Sequence, residues 1–140
     1  MSIVVDTNIL ISALIKDSVT RNLILNIKEI LLLLELDLEE IDNHKEEILD
    51  KSGLSENEFE VMLSFLLKNF KIIKTEEVIN YREEAIEIIG NIDKDDVVFF
   101  ATALAFNCPI WSDDKRLKEQ KKIKVFNTSE VIDYFMHENI

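Results

Sequence analysis

The sequence contains little glycine, proline or cysteine. Its 140 residues include two glycines, one proline and one cysteine. Because turns and flexible linkers depend on glycine and proline, their scarcity excludes collagen-like and linker-dominated chains and favours long regular elements joined by short loops. A single cysteine excludes an internal disulfide and a zinc site made of thiolates. We expect this residue, Cys108, to be a small buried apolar side chain.

Export and membrane-spanning signals are also missing. No basic segment followed by an apolar one begins at Met1, and the longest uncharged apolar-rich stretch covers only residues 97–110. A membrane-spanning helix needs roughly 20 such residues. We therefore expect a cytoplasmic protein that makes no membrane contact. With 47% hydrophobic residues, the chain is long enough for a single domain over residues 1–140 with an apolar core.

Positive charge is scarce as well. The chain has 16 Lys and Arg against 28 Asp and Glu, a formal net charge of -12, which speaks against nonspecific adhesion to nucleic acids or anionic lipids. Six basic residues nevertheless lie within ten positions, opposed only by Glu119: Lys115, Arg116, Lys118, Lys121, Lys122 and Lys124. A solvated helix face explains most charge runs, so the meaning of this basic segment (residues 115–124) depends on its neighbours.

The order of the predicted elements indicates an α/β fold. Short apolar runs predict five strands, at residues 3–5, 30–34, 72–73, 109–111 and 124–126. Helical patterns lie between them, at residues 9–15, 23–27, 38–52, 55–66, 76–89, 93–106 and 128–135. Because parallel strands need crossover connections, this alternation predicts a three-layer α/β/α domain with a central parallel sheet. The helices at 38–52 and 55–66 would form an inserted helical hairpin, whose surplus apolar face is a candidate dimer surface.

Acidic residues follow strands near both ends of the chain. Asp6 follows the first predicted strand, Asp113 and Asp114 follow the fourth, and Asp96 lies in the first turn of the most apolar helix. Open parallel sheets bind ligands at the carboxyl ends of their strands. Each acid taken singly fits a helix cap or dipole, and we interpret Asp93 as a cap. Together the acids favour a site for Mg²⁺ or Mn²⁺, because clustered carboxylates repel one another unless a cation lies among them.

The motifs along the chain resemble those of the PIN-domain nucleases, which include the VapC-type toxin ribonucleases. The resemblance rests on Val5-Asp6-Thr7-Asn8-Ile9-Leu10, on Glu40-Ile41, on Asp96 five residues before Ala101-Thr102-Ala103-Leu104, and on Pro109-Ile110-Trp111-Ser112-Asp113-Asp114. In the last motif, family members carry an apolar strand, Thr or Ser, a variable residue and Asp. Glu40 is the least specific match because other acids surround it. The segment 40–73 is longer than in short toxins and resembles that of stand-alone PIN proteins.

The resemblance implies a metal-dependent endoribonuclease that cuts single-stranded or structured RNA, as a homodimer or as a toxin paired with an antitoxin protein. The implied catalytic acids are Asp6, Glu40, Asp96 and Asp114. Of these, the implied ligands of Mg²⁺ or Mn²⁺ are Asp6, Asp96 and Asp114. The implied polar supports are Asn8 and Ser112, with Asp113 as an outer member. The residues expected to contact RNA are Lys115, Arg116 and Lys118.

Other functions fit the sequence less well. A haloacid dehalogenase-type phosphatase needs D-x-D-x-T after the first strand. With Asp6 as the first position, this chain has Asn8 at the third and Leu10 at the fifth. A receiver-type signalling domain needs paired acids and a late lysine at spacings that this chain lacks. A PIN-fold module that binds RNA or protein with little or no cleavage stays open. The presence of all four acids disfavours this module without excluding it.

Three further side chains have candidate roles. His44 lies four residues after Glu40 on one helical face, so it is a candidate metal or phosphate ligand, but its charged neighbours favour a solvated position. His137 suits the negative end of the last helix. We expect Trp111 to pack in the core, with base stacking as the minor alternative.

Overall fold

A computed structural model of the protein describes residues 1–15, 18–90 and 96–136. Its sheet has five strands, β1 (Ser2–Val5), β2 (Ile30–Leu34), β3 (Phe70–Ile73), β4 (Ile110–Trp111) and β5 (Val125–Phe126). All neighbouring strands are parallel, in the order β3-β2-β1-β4-β5. The chain builds one half of the sheet outward from β1 and then crosses to the other side of β1 for β4 and β5. The β1/β4 boundary is therefore a topological switch point, where such sheets bind ligands.

Eight α-helices lie within the described ranges. They are α1 (Thr7–Ile15), α2 (Ser18–Asn26), α3 (Glu35–Asn43), α4 (Lys45–Ser52), α5 (Glu56–Leu67), α6 (Arg82–Ile89), α7 (Val97–Phe106) and α8 (Thr128–Phe135). Short 3₁₀ turns cover Thr75–Glu77, Ile79–Tyr81 and Lys115–Glu119. None of the helices in this part of the chain is long and apolar enough to cross a bilayer.

The sheet separates two apolar cores. Because successive strand residues point to opposite faces, Ile3 and Val5 pack with α1 to α5 and α8, whereas Val4 packs with α6 and α7. Both faces of the central strands are buried, as the uninterrupted apolar sequence of β2 predicts. The predicted three-layer α/β/α fold with a parallel sheet is thus confirmed.

The helical hairpin forms part of the first core. Gly53 ends α4 with φ 73°, a left-handed conformation that favours glycine, and the Ser55 hydroxyl accepts from the Glu58 amide at the start of α5. Phe59 and Leu66 of α5 are buried in that core. The hairpin therefore packs on the helical layer instead of standing off the sheet. On its outer side Val61 and Phe65 are 67% and 51% exposed.

Two predicted helices differ from the observed ones: one is divided in two, and the other begins later. The helix predicted at 38–52 begins at Glu35 and is interrupted at His44, whose amide donates to the carbonyls of Glu40 and Ile41. After the interruption α4 packs on α1, and α3 contacts both α1 and β2. The helix predicted at 76–89 begins only at Arg82, since the preceding 3₁₀ turns bury the β-branched Val78 in the second core. Asp93 and His137 lie outside the described residues.

Candidate active site

Asp6 lies at the switch point and is fixed by the two strands that form it. It follows β1, and its Oδ2 accepts a hydrogen bond of 2.7 Å from the hydroxyl of Ser112, which follows β4. Its Oδ1 accepts from the Asn8 amide at 3.2 Å. The Asp114 amide donates to the Ser112 hydroxyl oxygen at 3.1 Å. A chain of hydrogen bonds therefore connects Asp114 through Ser112 to Asp6, so the predicted supports Asn8 and Ser112 both contact Asp6.

The Asp6 carboxyl is buried among other acids. It is 7% exposed, and burial raises its pKa above the ordinary value. The bonds from Ser112 and Asn8 oppose that rise, and the negative charges of Asp114 and Glu40 add to it. The fold thus brings three of the four predicted catalytic acids into electrostatic range of one another.

Asp37 is a further buried acid at this edge, and the sequence interpretation missed it. It is 5% exposed, and burial raises its pKa to about 6, with smaller contributions from Glu40 and Asp6. The Leu34 amide donates to its Oδ2 at 3.3 Å. The Thr7 hydroxyl also lies near the carboxyl, although it makes no standard hydrogen bond. The Thr7 hydroxyl and the Leu34 amide both oppose the rise in the pKa of Asp37. The only sequence feature that could have identified Asp37 is its position in the first helical turn after a central strand. Glu35 has the same feature.

Asp114 is paired with a basic residue two positions along the chain. The Arg116 guanidinium donates to both Asp114 carboxylate oxygens, at 3.2 and 2.9 Å, and the Arg116 amide donates at 3.0 Å. This pairing holds the pKa of Asp114 below its ordinary value. Arg116, predicted to contact RNA, therefore contacts a predicted metal ligand in this structure.

Asp113 points to a different element. Its carboxylate accepts from the Thr128 amide at 2.7 Å and from the Thr128 hydroxyl at 2.9 Å, at the start of α8. The same hydroxyl accepts from the indole of Trp111 at 3.1 Å. Asp113 thus joins β4 to α8, while Trp111 is fully buried and packs in the core as expected.

Asp96 reaches the same edge from the other layer. It is the N-cap residue of α7, and because α7 leads into β4, its N-terminus lies at the carboxyl ends of the strands. Its carboxylate makes no capping hydrogen bond to α7, although it has a hydrogen-bonding or electrostatic partner. A capping role therefore does not account for this aspartate.

The basic segment is divided between the two edges of the sheet. Lys115 directly follows Asp114, and Lys118 forms an ion pair with Glu130 in the first turn of α8. Lys122 and Lys124 instead line a cavity of about 330 Å³ together with residues that precede β1 and β4, such as Met1 and Pro109. Only the first part of the segment lies beside the candidate site.

Glu40 and Asn8 border a second cavity, which opens between α1, α3 and α4. Its volume is about 220 Å³, and His44 also lines it. The His44 Nδ1 atom lies 3.5 Å from a carboxylate oxygen of Glu47. His44 therefore lies beside the exposed carboxylate of Glu47 and lines the cavity.

Cys108 lies away from this cavity. Burial raises the pKa of its thiol to about 11, which leaves it unreactive as a nucleophile.

The donor set fits a hard divalent cation, but it is not assembled as a complete ligand group. Within residues 1–15, 18–90 and 96–136, no three His, Cys, Asp or Glu side chains are placed to hold a metal ion. The negative charges of Asp114 and Glu40 nevertheless act unfavourably on the Asp6 carboxylate, and a divalent cation relieves such repulsion. The Arg116 guanidinium competes with a metal ion for the Asp114 carboxylate.

Comparisons with known proteins identify the family and the fold. A family model described as the PIN domain matches residues 4–131. The structure of VapBC2 from Rickettsia felis bound to a DNA fragment from its promoter is similar, with a TM-score of 0.68 and 18% identity, over 91% of this chain and 98% of that one. PAE2754 from Pyrobaculum aerophilum has a TM-score of 0.60 and 17% identity, over 94% of this chain and 86% of that one. The search of curated proteins gave no significant match.

Proposed function

Since the chain belongs to the PIN-domain family, we propose that it is a Mg²⁺- or Mn²⁺-dependent endoribonuclease that acts as one domain over residues 1–140. PIN domains are generally nucleases that depend on divalent metal ions. We propose more specifically that this chain hydrolyses RNA phosphodiester bonds at the sheet edge that carries Asp6.

The observation that carries the proposal is the buried carboxyl of Asp6 at the switch point. Burial and the charges of Asp114 and Glu40 disfavour its ionised form, and Ser112 fixes its orientation. Such an arrangement lowers the free energy of unfolding, because a buried carboxylate that only uncharged donors contact is destabilising. A site that binds a cation offsets that cost.

The residues that would hold the ion are Asp6, Asp96 and Asp114, with Glu40 beside them. When bound, a divalent ion lowers the pKa of a water molecule and offsets charge on the phosphate. The chain's own contribution is positioning, because Ser112 donates to Asp6 and leaves the second Asp6 oxygen to accept only the weaker bond from Asn8. The Arg116 guanidinium beside Asp114 is the type of group that pairs with a phosphate oxygen.

Cleavage of a mixed RNA pool with and without Mg²⁺ or Mn²⁺ tests the proposal. The native protein should cut in a metal-dependent manner, and Asp6→Asn should not. Asp133→Asn makes the same chemical change on an exposed face of α8 and is the matched control. Cleavage that persists in the Asp6→Asn protein or in the presence of a chelator contradicts the proposal.

A PIN-fold module that binds RNA or protein without cleaving is the second candidate. The Arg116 pairing of Asp114 favours it, because that pairing neutralises an acid that the nuclease would need. RNA binding without cleavage in either the native or the Asp6→Asn protein would support the module.

Partners other than RNA are also proposals. The similarity to VapBC2 is the reason to propose an antitoxin partner and a toxin role. The exposed Val61 and Phe65 of α5 are the reason to propose a homodimer through the hairpin. Light scattering of the native protein and of Phe65→Ser tests the dimer, which the variant should weaken. An unchanged mass in both proteins at high concentration, equal to that of one chain, would overturn it.

A further inference from the structure

The cavity beside Glu40 has an apolar floor and a polar rim. The apolar residues that line it are Ile11, Ile15 and Ile48. The polar ones are Asn8, Glu40, His44, Glu47 and Lys51. Its volume of about 220 Å³ is small, and it is bounded by three helices, α1, α3 and α4. A flat ligand with apolar faces and a polar edge suits such a lining.

The rim carries more negative than positive charge. Glu47 accepts from the Lys51 ammonium at 2.7 Å and lies 3.5 Å from His44, and the Lys51 bond holds the pKa of Glu47 below its ordinary value. Glu47 therefore stays ionised near neutral pH and keeps lone pairs available for a further donor. With Glu40 on the same wall, the cavity repels a phosphate and attracts N–H donors.

The cavity adjoins the candidate active site. Asn8 lines the cavity, and its amide donates to the Asp6 carboxylate at 3.2 Å. Glu40, on the other side of the cavity, is one of the proposed catalytic acids. A nucleotide whose phosphate lies at Asp6 therefore has this cavity within reach of its base.

We propose that the cavity is a nucleobase subsite that selects the nucleotide beside the cleaved bond, with guanine preferred over uracil. This inference rests on the proposed nuclease function. The isoleucine floor contacts the face of the base, and Glu47 accepts from its Watson–Crick edge. Guanine presents adjacent N–H and NH₂ donors there, whereas uracil presents one N–H between two carbonyl oxygens that the carboxylates repel.

Binding can be measured without cleavage. The Asp6→Asn protein is titrated with GMP and then with UMP, which carry the same phosphate, while ¹H–¹⁵N NMR follows amides on α1 and α4. We expect GMP to shift signals of the cavity residues and to bind at least about fivefold more tightly than UMP, since one good base contact supplies that discrimination. Glu47→Gln should abolish the difference. Glu46→Gln, an exposed neighbour outside the cavity, should retain it.

Cleavage gives the second measurement. Short RNAs that differ only in the bases flanking one bond are cut by the native protein, by Glu47→Gln and by Glu46→Gln. We expect the preference for guanine to be lost in Glu47→Gln alone. Equal cutting of all RNAs, together with no nucleotide-specific shifts at the cavity, would overturn the subsite while leaving the nuclease intact. Guanine-selective shifts without any cleavage would support the subsite and contradict the nuclease.

Discussion

The acids at the two sides of the switch point are treated differently by the fold. On the β1 and β2 side, Asp6 and Asp37 are buried next to like charges, and their pKa values are raised. On the β4 side, Asp113 is bonded to Thr128, and Asp114 is paired with Arg116, which lowers its pKa. The protein's own groups therefore satisfy the acids on one side, whereas the buried acids on the other side face unfavourable charge interactions. The difference locates where a metal ion would add most to stability and activity.

The largest expected effect comes from removing the charge at the centre of the buried half. Asp6→Asn should lower metal-dependent RNA cleavage by at least about 10³-fold, because the substitution removes the negative charge of a proposed metal ligand. Single-turnover cleavage of a labelled RNA measures the loss. Asp113→Asn, on the satisfied half, should cut at a rate within a few-fold of native. Equal losses in the two variants would erase the contrast.

The pH dependence of stability sharpens the contrast next. The folded-state pKa of Asp37 is raised to about 6 from 3.8, so its contribution to stability is present below pH 3.8 and is lost as the pH rises through about 6. Without metal, Asp37→Asn should therefore be more stable than native at pH 8, by on the order of 3 kcal/mol at about 1.4 kcal/mol per pKa unit. The two should match near pH 3.5. Urea unfolding at both pH values measures this, and an equal difference at both would contradict a charge effect.

Metal binding should stabilise the native protein through the buried half. Saturating Mg²⁺ or Mn²⁺ should raise the free energy of unfolding by about 2.7 kcal/mol at 100 times Kd. Asp96→Asn should reduce that gain, because the substitution removes the negative charge of a proposed ligand. Thermal melts with and without metal measure both effects. A melting temperature of the native protein that does not respond to either ion would count against the site.

The smallest expected effect concerns Arg116, whose guanidinium is paired with Asp114. Arg116→Gln should raise the pKa of Asp114 toward its ordinary value and strengthen metal binding a few-fold, since the ion no longer competes with the guanidinium. RNA binding should weaken modestly at low salt. Calorimetric titration with Mn²⁺ measures the metal affinity, with Lys121→Gln as a charge-matched control, since the Lys121 ammonium donates to the Lys118 carbonyl. Weaker metal binding in Arg116→Gln would contradict competition.

Local signals in the sequence predicted most of the fold. The apolar run at 30–34 coincides with β2 (Ile30–Leu34), because a central parallel strand is buried on both faces. The pairing of Ser55 with Glu58 predicted the start of α5, because a capping box is a contact within one turn. By contrast, the interruption at His44 depends on where α3 and α4 pack, and no glycine or proline marks it.

The candidate site was predictable in part. Asp6 and Ser112 follow two parallel strands, so the expected sheet placed them at the same edge, but the sequence did not predict that these strands are neighbours. Asp37 did not stand out from the acids around it, because burial and not residue type distinguishes it. The pairing of Asp114 with Arg116 and of Asp113 with Thr128 depends on side-chain directions at a strand end, which spacing does not determine.

The hydrogen bond between Ser112 and Asp6 joins residues 106 positions apart in the chain. Such a contact cannot form until the intervening chain has been synthesised, and closing so long a loop is entropically costly. The first strand and its aspartate therefore leave the ribosome long before the serine that orients that aspartate. Whatever chemistry the edge performs is withheld from the growing polypeptide until its fourth strand has emerged and docked beside the first.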